Sequence, residues 1–102
     1  MLAKTISIPK MEGKCELVSG LLRALSHPQR LMILGHLIQG EKTVGELQDL
    51  CEISQSQLSQ FLGRMRLEGL LRCERKGRFQ YYSVTDKKVV KLIQAIHSIY
   101  CG

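Results

Sequence analysis

The chain of 102 residues lacks the features that mark several large classes of protein. No hydrophobic run approaches the ~20 residues of a membrane span. The N-terminus has no apolar core of a signal peptide. The four cysteines stand far apart without a C-x-x-C pair, which argues against a zinc ribbon and against a disulfide framework. These absences predict a protein of the reducing cytoplasm that does not span a membrane.

Acidic residues are also scarce. The 9 Asp and Glu residues stand against 15 Lys and Arg, which gives a net charge of +6 and a pI near 9.4. This balance favours a polyanionic partner, either nucleic acid or an acidic membrane surface. Many of the basic residues fall between Arg64 and Arg78 rather than in one tail. The hydrophobic content of 44% is enough for a single small core.

The constellations of catalysis are missing as well. A cysteine nucleophile needs a base held against its thiol, and no cysteine here has an evident His/Asp pair around it. The sequence therefore predicts no enzyme, no catalytic residue and no cofactor. Exposed aromatics for stacking on RNA bases are not evident, because Phe61 and the tyrosines fit packing positions.

The N-terminal segment shows no clear apolar period, and Pro9 is expected to break any early helix. This predicts a flexible arm over residues 1–10, followed by one folded domain over residues 11–102.

Two helices are predicted next. Apolar residues at helical spacing predict the first from Met11 to about Ser26. Proline is favoured at a first helical position, so Pro28 opens the second, which runs to about Gln39. The second helix is apolar nearly all round, which indicates a central buried position.

A helix-turn-helix follows. Thr43 and Glu46 have the spacing of a capping box at the start of a short amphipathic helix. A tight turn over residues 51–53 leads to Ser54, which can cap the next helix, and Gly69 stops that helix. Two short helices joined in this way form the motif whose second helix reads the major groove.

The second helix of this motif has an unusual polar face. Neutral amides and hydroxyls cover it, and its only acid is Glu68 at the far end. Glutamine reads adenine and serine bonds either type of base, so the face suits base edges. The competing interpretation is a polar surface helix without function. The residues expected to contact DNA from this helix are Ser54, Gln55, Ser56, Gln57, Ser59, Gln60 and Arg64.

A β-hairpin and a last helix complete the chain. Two strand-like runs flank Lys76-Gly77, which predicts a hairpin with a basic tip. Arg75, Lys76 and Arg78 are expected to hold phosphates or to enter the minor groove. Asp86 opens the final helix. The predicted fold is mainly α with a small β-hairpin, a winged helix-turn-helix of order α-α-α-α-β-β-α.

The first and last helices are more apolar than one small core can absorb. Their spare surface predicts a symmetric homodimer. A dimer also suits a palindromic DNA operator, because it places two recognition helices about one helical turn apart. The expected interface residues are Leu21, Leu25, Leu92, Ile96 and Ile99.

Several stretches occur in a specific order along the chain: Leu25–Leu34, Thr43–Leu47, Ser54–Leu62 and Leu67–Leu71, followed by Tyr81-Tyr82. This ordered set resembles the ArsR/SmtB family of bacterial repressors, and the resemblance covers about Leu22 to Cys101. Ile99-Tyr100-Cys101 makes the chain most similar to the sulfur-responsive, HlyU/BigR-like branch. The resemblance implies a homodimeric repressor that a small inducer releases from its operator.

The chain departs from the family in two ways. Phe61 stands where many relatives have histidine, so one DNA contact is in doubt. The family's metal sites are also not visible. Thr43 and Gly45 cannot supply the soft ligands of an arsenic-type site, and the zinc-type site would need Asp-x-His where Asp86 is followed by two lysines. No metal site is predicted.

The cysteines fall into two groups. Cys51 and Cys73 fit packing positions, whereas Cys15 and Cys101 stand near the ends of the two proposed interface helices. In the sulfur-sensing relatives, a cysteine near the end of the last helix pairs with one in the second helix of the family fold, where Gly35 stands here. Either Cys15 substitutes in that pair or the switch is lost. The three histidines are expected in packing, junction or surface positions rather than as ligands.

The sequence thus predicts a sequence-specific DNA-binding repressor that has no membrane partner and is released by an unidentified small inducer, with Cys15 and Cys101 as the candidate thiol or redox site. One alternative is a metal-responsive repressor with a site unlike those of the family. Another is an inducer-blind protein-interaction module on the same fold.

Overall fold

The computed structural model describes residues 5–102, and this part of the chain forms six helices and a three-stranded antiparallel sheet. The fold is mainly α with a winged helix-turn-helix, which confirms the predicted class. No helix within residues 5–102 is both long and apolar enough to cross a membrane. In chain order the elements are α1 (Ile8–Glu12), α2 (Cys15–Leu25), α3 (Pro28–Leu37), β1 (Lys42–Thr43), α4 (Val44–Cys51), α5 (Gln55–Leu67), β2 (Leu71–Lys76), β3 (Phe79–Val84) and α6 (Lys87–Tyr100).

The N-terminal helices differ from the prediction. The single helix expected from Met11 to about Ser26 is divided into α1 and α2, with the break at Gly13 and the residue after it. Pro9 lies in the first turn of α1, so the expectation that it breaks an early helix is wrong. Proline is accepted there because a first-turn N–H needs no partner inside the helix. The first four residues of the predicted arm lie outside the described residues.

The predicted helix caps are present. Thr43 Oγ1 accepts from the Glu46 backbone N–H at 3.2 Å, and the Glu46 carboxylate accepts from the Thr43 N–H at 2.9 Å. This capping box lowers the pKa of Glu46, mainly through the hydrogen bond from the Thr43 backbone. Asp86 caps α6, with Oδ1 2.8 Å from the backbone nitrogen of Lys88. Local sequence therefore sets where α4 and α6 begin.

The wing contains one strand more than the predicted hairpin. β2 and β3 pair antiparallel with Lys76 opposite Phe79, and Gly77 has the left-handed φ of +64° that the tight tip requires. The two-residue strand β1 pairs with the other edge of β3, which gives the order β1-β3-β2. β1 ties the wing to the start of α4, because α4 follows β1 directly.

The core sits around α3, as the sequence predicts. Ile33 and Leu34 of α3 are fully buried, and they share one cluster with residues of α4, α5 and α6. Met32 on the same helix is 55% exposed, so α3 still has one side open to solvent. This core holds α5 from one side only, which leaves its polar face outside.

Candidate nucleic-acid interface

Helix α5 presents a polar face to solvent because its other face is anchored in the core. Leu58, Leu62 and Met65 recur at helical spacing and are all 0% exposed. The chain enters α5 through Glu52, which adopts a left-handed conformation at φ 50°. The four side chains of the predicted reading face that make no side-chain bond within the described residues are Gln55, Ser56, Ser59 and Gln60, all of them exposed.

Two residues of the predicted reading set are already bonded to each other. Ser54 Oγ accepts from the Gln57 backbone N–H at 3.2 Å and also lies 3.4 Å from Gln57 Oε1. Ser54 therefore caps α5, and its hydroxyl is committed to the helix. Both residues stay exposed at the N-terminal end of the face.

Arg64 extends the face toward the C-terminal end of α5. Its Nε donates to Glu68 Oε2 at 3.3 Å, one turn further along. The Arg64 side chain is 70% exposed, so this contact is a solvated surface pair that contributes little to stability. Arg64 can leave it for a phosphate at small cost.

The three cations of the wing tip have different surroundings. Arg75 Nε donates to the carbonyl of Gly77 at 3.1 Å and so braces the turn. Lys76 forms a short ion pair with Glu41 and lies 5.6 Å from the centroid of the Tyr81 ring. The hydrogen bond with Glu41 raises the pKa of Lys76.

Arg78 is the least engaged of these cations. Its guanidinium carbon lies 5.9 Å from the centroid of the exposed Phe79 ring, and no hydrogen bond or ion pair holds it among the described residues. Sequence reasoning missed Glu41, the acid that engages Lys76. Glu41 precedes β1, and nothing in the sequence marks it as the partner of Lys76, which lies 35 residues further along the chain.

A contact that the sequence did not reveal ties α5 to the junction of α2 and α3. Arg30 Nη1 donates both to the Ala24 carbonyl at 2.9 Å and to Glu68 Oε1 at 3.0 Å. On the same flank, the rings of His27 and Phe61 lie 4.9 Å apart. The sequence offered one signal for Arg30 itself: it stands in the first turn of α3, where the helix dipole disfavours a cation that has no acidic partner.

The residues predicted for the dimer interface are not equally exposed to solvent. Leu25 is 4% exposed and belongs to the core, so the structure removes it from the candidate contact surface. Leu21, Leu92 and Ile96 are half-buried, and Ile99 is 73% exposed.

The open apolar surface of α2 and α6 includes residues that the prediction omitted. On α2 they are Leu17, 67% exposed, and Leu22, and at the end of α6 there is Tyr100.

The described molecule measures 50 × 28 × 22 Å with a radius of gyration of 15.4 Å. A compact domain of this length would have a radius of gyration of about 13 Å, so the described molecule is elongated.

The four cysteines are all free thiols, two of them half-buried and two of them exposed. Cys51 is half-buried at the end of α4, where burial raises the pKa of its thiol. Cys73 faces Tyr82 across the wing strands. The pKa of Tyr82 is raised, mainly by burial and secondly by the neighbouring Cys73 thiol. Cys15 and Cys101 are exposed, the first at the beginning of α2 and the second at the end of α6.

The three histidines lie at a helix cap, at a partly buried position and on the surface. His27 caps α3, since its Nδ1 accepts from the backbone N–H of Gln29 at 3.1 Å. The Nε2 of His36 is buried and has no partner in the described part of the chain. His97 is exposed near the end of α6. Within residues 5–102, no three His, Cys, Asp or Glu side chains come together as a group that could hold a metal ion.

Comparison with known proteins gives a consistent result. A family described as a helix-turn-helix domain matches residues 25–74. The chain is 40% identical to the biofilm growth-associated repressor of Agrobacterium fabrum over 95% of its own length and 83% of that protein. It is 33% identical to the transcriptional activator HlyU of Vibrio cholerae, over 94% and 89% of the two chains.

A solved structure shares the whole architecture. The transcriptional repressor BigR from Xylella fastidiosa superimposes with a TM-score of 0.90 at 37% identity, over 95% of this chain and 99% of that one. These relatives are regulators of transcription and not enzymes, which agrees with the prediction from the sequence.

Proposed function

Because the chain belongs to the winged helix-turn-helix regulators of the ArsR type, we propose that it represses transcription by binding an operator in double-stranded DNA as a homodimer. One observation carries the proposal: α5 has an exposed face of neutral amides and hydroxyls, beside a basic wing. Repression is the activity named for the 40%-identical relative. A cytoplasmic location follows from the proposal, since the bacterial operator is there.

The face of α5 reads the major groove. Gln55 and Gln60 offer amides that match the edge of adenine, and Ser56 and Ser59 can donate to or accept from either base type. Phosphate contacts come from Arg64 and the wing, which add affinity without reading sequence. The absence of acids from the exposed part of this face supports the proposal, because a carboxylate would repel the DNA backbone.

The homodimer forms through α2 and α6. Leu17 and Ile99 are more than two-thirds exposed, and large apolar patches on a single protomer mark interaction sites. A twofold axis between these helices would present the two α5 helices to successive major grooves about 34 Å apart, which requires a palindromic operator.

The inducer acts through thiols. Cys15 and Cys101 are exposed free thiols at the ends of the two interface helices. A disulfide or a sulfur-bridged link between them, formed by an oxidant or a persulfide, would change how the protomers meet. The separation of the recognition helices would then no longer fit the operator.

The test is the selection of binding sites from random duplexes by the purified protein, followed by release assays on the selected operator. The treatments are an organic persulfide, hydrogen peroxide, zinc and arsenite, each on the parent chain and on Cys15→Ser and Cys101→Ser. We expect a palindrome, released by persulfide or peroxide in the parent but not in either variant. Mass spectrometry should find the linked cysteines only in the released protein.

Other outcomes separate the alternatives. If the oxidant releases both variants from the operator as readily as it releases the parent, the thiol switch is rejected and the proposal of DNA binding is unaffected. Release by zinc or arsenite alone would indicate a metal-responsive repressor. Failure to select any sequence would reject operator binding and favour the protein-interaction module.

A further inference from the structure

The guanidinium of Arg30 joins α5, the proposed recognition helix, to α2, a helix of the proposed dimer interface. Arg30 Nη1 donates to the carbonyl of Ala24, in the last turn of α2, and to the carboxylate of Glu68, the C-cap of α5. The last carbonyls of a helix have no N–H partner within that helix, so Ala24 needs such a donor. Arg30 therefore bridges the C-terminal ends of α2 and α5.

The electrostatics favour this position for the cation. Each helix C-terminus carries partial negative charge, and the carboxylate of Glu68 adds a full charge at one of them. The Arg30 side chain is 14% exposed and that of Glu68 is 32% exposed, so water screens this pair less than it screens Arg64 with Glu68. The planar guanidinium holds both acceptors in fixed directions, which a lysine ammonium cannot do.

A second contact lies on the same flank of α5. The rings of His27 and Phe61 meet at 4.9 Å with an angle of 56° between their planes. His27 belongs to the junction that follows α2, where it caps α3. The α2–α3 junction thus holds α5 at two places, Phe61 in the middle of the helix and Glu68 at its end.

We propose that Arg30 is a positioning residue for DNA recognition, which transmits the orientation of α2 to α5 through Glu68. The proposal rests on the proposed function, namely operator binding by a dimer formed through α2 and α6. The geometry of the dimer interface then sets the angle of each recognition helix. Without the bridge, each α5 is held less firmly, and the dimer loses its discrimination between half-site spacings.

The test measures binding to the selected operator and to duplexes whose half-sites are moved one base pair closer together or further apart. The variants are Arg30→Met, which keeps the apolar stem, and Glu68→Ala, which leaves the bond from Arg30 to Ala24 in place. The control is Arg23→Met, which removes the same charge from α2 at an exposed side chain outside the described hydrogen bonds and ion pairs. Dimer mass and thermal unfolding are recorded for every variant.

We expect Arg30→Met and Glu68→Ala each to lose about tenfold in affinity at the natural spacing and much less at the altered spacings, within the usual range for coupled sites. Binding to random DNA should match that of Arg23→Met. The double variant should lose little more than the worse single variant, because both break the same link.

The results that would overturn this inference can be told apart from those that would overturn the proposed function. If both variants keep the parent's preference for the natural spacing, Arg30 does not position α5, although operator binding stands. If the parent itself selects no operator, the proposed function and this inference fall together. If Arg30→Met does not fold, Glu68→Ala decides alone.

Discussion

At the scale of single residues, side chains of the same type have different roles because their neighbours differ. The hydroxyl of Ser54 is used to cap α5, whereas Ser59 on the same helix is exposed. Lys76 is paired with Glu41, whereas Arg78 two residues later is held by no ion pair within the described residues. Composition alone indicates a DNA-binding face, and the contacts indicate which members of it are available.

Gln60 should contribute directly to sequence recognition. Replacing it by Ala should cost about 1–3 kcal/mol on the selected operator and little on random DNA, because a bidentate base contact is lost. The measurement is a pair of binding isotherms on the two duplexes at one salt concentration. Gln94→Ala removes an exposed amide from α6 and serves as the control. An equal loss on both duplexes would show that Gln60 does not specify sequence.

The capping box of α4 should make stability depend on pH. The pKa of Glu46 in the folded chain lies below its ordinary value of 4.5, so the carboxylate stabilises the fold above that pH and stops doing so as pH falls through the lowered value. The parent should unfold at a higher temperature than Glu46→Gln near neutral pH, and the difference should shrink in acid. A difference that stays constant down to pH 3 would contradict this assignment.

At the scale of elements, the boundaries that depend on local chemistry are those that the sequence predicts. The caps at Thr43, Ser54 and Asp86 and the glycine tip of the wing depend on neighbours within a few residues. The start of α1 does not follow from the sequence alone, because a proline can either break a helix or occupy its first turn, as Pro9 does. β1 was missed because two residues are too few to show an alternation of period 2.

The candidate site divides in the same way. The face of α5 could be predicted because Leu58, Leu62 and Met65 define its opposite side by their spacing. The partner of Arg30 could not, because 38 residues separate Arg30 from Glu68 along the chain. Leu25 was assigned to the wrong surface, since spacing along α2 does not show which apolar residues the core takes up.

The wing should contribute phosphate contacts rather than base reading. Arg78→Gln should flatten the slope of log K against log salt by about 1, the value for one phosphate contact removed. Lys76→Gln should have a smaller effect, because the ammonium must leave Glu41 before it reaches DNA. Binding is measured by salt titration, with Lys91→Gln on α6 as a control of equal charge. A slope that the Arg75, Lys76 and Arg78 triple variant leaves unchanged would place the wing away from the DNA.

At the scale of the whole molecule, the elongated shape and the open apolar faces of α2 and α6 go together. The 50 Å long axis and the exposed side chains of Leu17 and Ile99 leave surface that one core does not cover. A second copy would cover it and would also supply the second recognition helix that a palindrome requires. In the proposed dimer, dimerisation and DNA reading would be linked through α2, the helix that Arg30 joins to α5.

The dimer should be broken by charges placed on this open surface. Leu17→Glu or Ile99→Glu would bury an unpaired carboxylate in the interface, so each variant should be a folded monomer that does not bind the operator. Both side chains lie largely outside the protomer core, which keeps the fold intact. Sedimentation velocity gives the mass. Met32→Glu, at a 55% exposed position of α3, should remain a dimer. A folded dimer in both test variants would move the interface elsewhere.

Operator binding by the proposed dimer depends above all on the neutral face of α5, which has to read a palindrome. The most direct measurement is the ratio of affinities of the purified protein for its selected palindrome and for a scrambled duplex of the same length at physiological salt. We expect a ratio of about 10³ or more, as specific regulators reach, with one dimer on each palindrome. A ratio near 1 at every salt concentration would contradict it, because binding would then come from the basic charge of the chain alone.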